Sequence, residues 1–166
     1  MQLTLKNAIL RKKIMDSFFP FVLNKIGFTQ RYQAICAKHN DFDNSMSGNQ
    51  KEQYDRILNQ LGYKAKYFKK ETFYRIVSIN GDYEFTLQLV LKDGIVESML
   101  NVKKGENYFS PYGRFDFIPQ KMNVEFDRKL YNLPKYKSLE ELEEILKEIF
   151  SIFEDIKKEL MNQYHT

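Results

Sequence analysis

Two histidines and one cysteine bound the nucleophilic and acid–base chemistry this chain could carry. Cys36 and His39 form a Cys-x-x-His pair. That spacing can supply half of a zinc site or, if the side chains meet, an activated thiolate. No second pair follows, and His165 alone cannot complete a tetrahedral site. The expectation is a buried, structural Cys36. Asp41, Asp43 and Ser45 fall at positions 1, 3 and 5 of a calcium loop, and Glu52 at position 12. Met46 stands where such a loop needs glycine for its sharp turn, and Gly48 comes two residues late. Asx turns in a polar loop account for the same residues. The chain has no phosphate loop, dinucleotide glycine motif, Gly-x-Ser-x-Gly or His-Glu-x-x-His. Glu140 and Glu141 begin a helix, where solvation and the helix dipole explain them. These residues predict a non-enzymatic protein with no catalytic residue, no metal and no cofactor.

Residues that could bind a partner are easier to find. Residues 108–117 (YFSPYGRFDF) place five aromatics and Arg114 around Pro111 and Gly113. Tyr and Arg dominate the energetics of protein interfaces. The structural reading of the same segment is an edge strand, with Phe115 and Phe117 in the core and Tyr108 and Tyr112 over its rim. Pro111 would restrict ladder pairing there. Charge is polarised as well. Residues 138–160 hold eight acids against three lysines, while the whole chain is net +4. Basic residues elsewhere are spread as pairs, with one triplet at Arg11, Lys12 and Lys13. Spaced pairs make a poor phosphate track, so nucleic acid is the disfavoured partner.

These groups must be held by a fold that the periodicity specifies. Leu139, Leu142, Leu146, Ile149, Phe153, Ile156 and Leu160 recur at steps of three and four, predicting a long amphipathic helix over 138–163. Ser138 and Glu141 form a capping box at its start. From 139 to 160 it would run about 33 Å at 1.5 Å per residue, long enough to need a sheet as partner. Residues 72–80 and 83–92 flank Asn80-Gly81-Asp82, a strong hairpin signal. Tyr83, Phe85, Leu87, Leu89 and Leu91 alternate with polar residues, so this strand has one wet face. Asp93-Gly94 turns into a strand over 95–103, a looser turn leads to 108–118, and 63–69 adds a strand before the hairpin. The sum is an antiparallel meander of four to six strands. Residues 5–26 read as helix, in two pieces, with Asp16 or Ser17 capping the second and Pro20 in its first turn. Residues 50–61 form another helix. Gly27-Phe28 and Gly62-Tyr63 are matching helix stops. Residues 38–49 read as a polar loop, the most mobile part of the chain.

The 166 residues suffice for one α+β domain, 1–166, able to bury roughly 70% of the surface its unfolded chain exposes. No apolar run reaches the roughly 18 residues of a membrane span. Lys6, Arg11, Lys12 and Lys13 interrupt the early apolar positions, which is not an export-signal pattern. With a single thiol, the expected location is cytoplasmic. Twenty Lys, 12 Asn and 13 Ile against four Ala and no Trp suggest an AT-rich bacterial or phage gene.

This layout resembles the small immunity proteins of bacterial polymorphic toxin systems. The Gly27-Phe28 stop, the meander and the closing Glu- and Lys-rich helix carry the resemblance. It implies an inhibitor that binds and neutralises a cognate toxin. Such proteins are often acidic, and this chain is net basic. The candidate partner-binding residues are Tyr108, Tyr112 and Arg114, with Glu140, Glu141 and Glu144 on the acidic helix. The alternative is a nucleic-acid-binding module using Lys64, Lys66, Lys69, Lys70 and Arg75 with Tyr67 and Tyr74.

Overall fold

A computed structural model describes residues 2–164 and the side chains of residues 4–162; His165 lies outside the described residues. Three helices come first: α1 (Gln2–Lys25), α2 (Phe28–Lys38) and α3 (Lys51–Gln60). Six strands follow: β1 (Lys66–Phe68), β2 (Phe73–Asn80), β3 (Tyr83–Lys92), β4 (Ile95–Lys104), β5 (Asn107–Tyr108) and β6 (Gly113–Arg114). A single turn, α4 (Ile118–Lys121), and the long α5 (Leu139–Tyr164) complete the chain. The expected α+β meander is present: the strands run antiparallel in the order β1-β2-β3-β4-β5, with β6 also paired to β4. Among the described residues, no helix is long and apolar enough to cross a membrane.

The register gives the sheet two unlike faces. Ile76, Leu87 and Leu100 stand side by side across β2, β3 and β4, and Phe85 stands beside Val102. All are buried, as are Leu89, Leu91 and Val96 on the same face. Helix α5 covers that face with the predicted stripe, from Leu142 through Leu146, Ile149, Phe153 and Ile156 to Leu160. The predicted cap is present in a shifted form: the Glu141 amide donates to Ser138 Oγ (3.1 Å), while the Glu141 carboxylate accepts from the amide of Lys137 (2.9 Å), one residue before the cap.

The N-terminal region corrects two expectations. Helix α1 runs unbroken through Pro20, without a second start at Asp16 or Ser17. Its buried face, Met15, Phe19, Val22 and Leu23, spans the proline. Tertiary packing there offsets the roughly 3 kcal/mol cost of an interior proline. Gly27 ends α1, with its amide on the Asn24 carbonyl (3.1 Å), and its own carbonyl accepts the Arg31 amide (2.9 Å). The helix stop is thus also a helix start, and α2 follows directly. Phe28, Tyr32, Ile35 and Cys36 are its buried side.

The 39–50 loop, expected to be the most mobile part of the chain, hydrogen-bonds to the β3–β4 turn and to the 134–136 segment. Asp93 and Gly94, both at positive φ, form a two-residue turn between β3 and β4. The Asp93 amide donates to the Gly48 carbonyl (3.0 Å), and the Gly48 amide to Asp93 Oδ1 (3.0 Å). The Tyr136 amide donates to the Gly94 carbonyl (2.9 Å), and the Met46 amide to the Tyr136 carbonyl (2.9 Å). Beneath this junction the Tyr54 and Tyr136 hydroxyls hydrogen-bond at 2.6 Å, both rings fully buried. Tyr136→Phe leaves the Tyr54 hydroxyl buried without that partner, so it should cost about 1–3 kcal/mol. Tyr54→Phe/Tyr136→Phe should recover part of that loss, and urea unfolding of the two variants against the parent checks this.

The 108–118 segment is not one strand. The Ser110–Pro111 peptide is cis, and the chain pairs only at β5 and β6 before entering α4. Phe109 and Phe115 are buried. Phe117 is half-buried, its ring near the guanidinium groups of Arg114 (5.1 Å) and Arg128 (3.7 Å). That arrangement replaces the core position expected for it.

Candidate protein-binding face

Helix α5 leaves the other face of the sheet open. Alternation places Arg75, Val77 and Ile79 of β2, Glu84, Thr86 and Gln88 of β3, and Met99, Asn101 and Lys103 of β4 there. Tyr108 stands opposite Lys103 and Arg114 opposite Met99, extending the face across β5 and β6. A hollow of about 210 Å³ lies among Arg75, Thr86, Gln88, Asn101, Lys103 and Tyr108. Strand hydrogen bonding fixes the backbones of most of these residues relative to one another.

The charges of this face are partly paired. Lys103 lies 3.7 Å from Glu84, and Arg114 3.8 Å from Glu97. Arg75 forms no ion pair among the described residues. It packs over the rings of Phe68 (4.6 Å) and Phe73 (5.5 Å). With its amide oxygen turned to the guanidinium, Gln88 accepts from Arg75 at 3.0 and 3.2 Å. Lys66, opposite Arg75 in register, lies 5.1 Å from the same Phe68 ring. Lys66 and Arg75 therefore leave the β1–β2 side with surplus positive charge.

The six candidate residues from the sequence divide into three sets. Tyr108 and Tyr112 are half-exposed with ring centroids 6.0 Å apart, and Arg114 lies close by along the chain. Arg114 also pairs with buried Asp116 (3.0 Å), which a second guanidinium, Arg128, meets at the same distance. Burial works against the Arg114 charge, but Asp116 more than offsets it and holds the guanidinium above its ordinary value. Glu141 is internal to the fold: its carboxylate meets His39 Nδ1 (2.8 Å), and the His39 side chain is almost fully buried. Glu140 and Glu144 are exposed on α5, and Glu144 lies 3.5 Å from Lys38. They belong to the helical layer, away from the open sheet face. Sequence reasoning recognised the wet side of β3 but did not make it a site. The alternation of Glu84, Thr86 and Gln88 was the available signal.

The remaining chemical candidates make contacts within the fold. Burial pushes the Cys36 thiol up to about 12. His39 engages Glu141. Asp41 accepts from the Asn44 side chain (3.1 Å) and amide (3.2 Å) in an Asx turn, and the Asn44 hydrogen bond holds its carboxyl below the usual range. Among the described residues, no three His, Cys, Asp or Glu are placed to hold a metal ion.

The His39 contact gives a pH prediction. Burial raises the Glu141 carboxyl, but the hydrogen bonds from His39 and the Lys137 amide outweigh it and hold the group below 4.5. A depressed folded value means stability that is full above about 4.5 and is lost as pH falls through the folded value. Glu141→Gln should reduce stability at pH 7 by about 1–2 kcal/mol and flatten the acid limb below pH ~4.5. Thermal melts from pH 3 to 7 check both.

Comparison with protein-family models, with curated proteins and with solved structures gives no match to this chain.

Proposed function

We propose that this chain is a non-enzymatic binding protein of the immunity type, which covers and blocks an acidic surface on a bacterial partner protein. The observation that carries this reading is the open sheet face. One side of the sheet is buried under α5, while the other presents Arg75, Thr86, Gln88, Asn101, Lys103 and Tyr108 around a shallow hollow. Tyr108, Tyr112 and Arg114 at its margin are residue types that concentrate binding energy. The positive surplus at Lys66 and Arg75 selects for an acidic partner and speeds its approach. This also fits the basic net charge, which departs from the acidic balance common among such inhibitors.

Nucleic acid is the weaker alternative. It needs Tyr74 and Tyr67 as stacking platforms beside the lysines. Tyr74 is buried, with its hydroxyl on Asp55 (2.8 Å), and Tyr67 lies opposite it on the same side of the sheet.

Co-expression with the product of the adjacent gene tests the proposal. The expected result is a complex stable to size-exclusion chromatography and a block of that product's activity. Tyr108→Ala should weaken the complex by about 30-fold, the effect of losing a hot-spot residue worth about 2 kcal/mol. Lys66→Glu/Arg75→Glu should slow association at low salt. Glu140→Lys/Glu144→Lys should leave it unchanged. Weakening by the α5 pair alone would put the interface on the helical layer.

A further inference from the structure

Helix α1 is apolar on two sides. Met15, Phe19, Val22 and Leu23 enter the core. Leu10, Ile14 and Phe21 point elsewhere and are 57%, 54% and 55% exposed. A surface helix ordinarily turns one apolar stripe inward, and a second stripe calls for a second partner. At 3.6 residues per turn these three side chains fall within about 40° of one another. Their spacing of four and seven is that of a coiled-coil seam: Leu10 at a d position, Ile14 and Phe21 at a positions. Exposed Asn7 and Ser17 occupy the intervening a and d positions.

The flanks of the seam are all of one sign. Lys6 and Lys13 lie at g and Arg11 at e, and no Asp or Glu precedes Asp16 in the sequence. Side chains 4–14 are exposed except for Lys12, so this half of α1 overhangs the core. A hollow of about 390 Å³ beside Ile14 has the turns at Asp82 and Gly105 as its second wall and includes Arg11 and Lys104.

We propose that this seam docks an acidic amphipathic helix of a partner protein. The partner's apolar knobs would pack on Leu10, Ile14 and Phe21, with its carboxylates beside Lys6, Arg11 and Lys13. Charge decides among the possible occupants. A second copy of α1 would set these basic flanks against one another in either orientation. A membrane surface needs a broad apolar face with cations opposite. Here Lys6 and Lys13 lie between Leu10 and the exposed Ile9 around the helix, leaving a narrow seam. The seam residues are not those of the sheet face, although Lys12 of α1 donates to the Tyr108 carbonyl at that face's margin, and the inference does not depend on the function proposed above.

The test titrates the full chain with a synthetic helix of about four heptads carrying Ile at a, Leu at d and Glu at every e and g. The control is the same peptide with Lys at e and g. The Glu peptide should bind and the Lys peptide should not. Leu10→Gln/Ile14→Gln should weaken binding at least about tenfold without lowering Tm, because both side chains are exposed. Lys6→Glu/Lys13→Glu should shift preference toward the Lys peptide. Absence of binding, or equal binding of both peptides, overturns the proposal. So does tighter binding to phosphatidylserine vesicles that Leu10→Gln/Ile14→Gln abolishes, or a concentration-dependent dimer that the same variant abolishes.

Discussion

Gly94→Ala should lose about 3 kcal/mol of stability, adding overpacking to a left-handed backbone penalty. The residue has a φ of +72°, and an added Cβ would stand 2.6 Å from the Met46 carbonyl oxygen, 2.7 Å from Ser45 Cβ and 2.8 Å from the Met46 amide nitrogen. Two of these are backbone atoms, and the Met46 amide is itself engaged by the Tyr136 carbonyl. Relief therefore requires the 39–50 loop and the 134–136 segment to move together. Gly81→Ala is the internal control. It also sits at positive φ, +59°, but nothing lies within 4 Å of its added Cβ. It should lose only about 1–2 kcal/mol. Urea unfolding followed by circular dichroism separates the two. Equal losses would mean that backbone strain alone, not the loop contact, sets the cost.

Phe115→Ala should be comparably damaging, at about 3–5 kcal/mol for a large aromatic removed from a packed core. Its ring is fully buried and meets Phe28 (5.1 Å) and Tyr32 (5.6 Å) edge-on, joining the strand region to α2. The loss leaves a void between α2 and the strand region. Phe117→Ala, two residues on, removes a half-buried ring that two guanidinium groups pack on and should cost about 1–2 kcal/mol. The pair of melts shows which aromatic of this segment carries the fold and which carries the surface. Because Arg114 and Asp116 flank Phe115, the first variant should also disturb the rim of the sheet face.

What the sequence made legible was whatever side-chain periodicity encodes. The stripe of α5, its cap, the alternation in β3 and the turn at Asp93-Gly94 could all be read, because each is local. Helix α2 was readable in principle, since Phe28, Tyr32, Ile35 and Cys36 carry a helical period, but Gly27 reads equally well as an end and as a beginning. The anchoring of the 39–50 loop was not readable. Its hydrogen bonds join backbone atoms of residues far apart in sequence, such as Met46 and Tyr136, and backbone partners leave no mark on residue type. The aromatic segment announced an interface in composition. Only the three-dimensional arrangement showed that Tyr108 and Arg114 extend the open face, that Glu141 meets buried His39, and that Arg75 has no carboxylate partner among the described residues.

The proposed recognition surface is the uncovered side of the sheet. Methyl-resolved NMR of the full chain, titrated with the product of the adjacent gene, measures this directly. Val77, Thr86 and Met99 report on the open face, Leu87 and Leu100 on the covered face, and Leu10 and Ile14 on the α1 seam. Binding should shift or broaden Val77, Thr86 and Met99 and leave the other four largely unmoved. Perturbation confined to Leu10 and Ile14, or a complex that leaves Val77, Thr86 and Met99 unchanged, would contradict it.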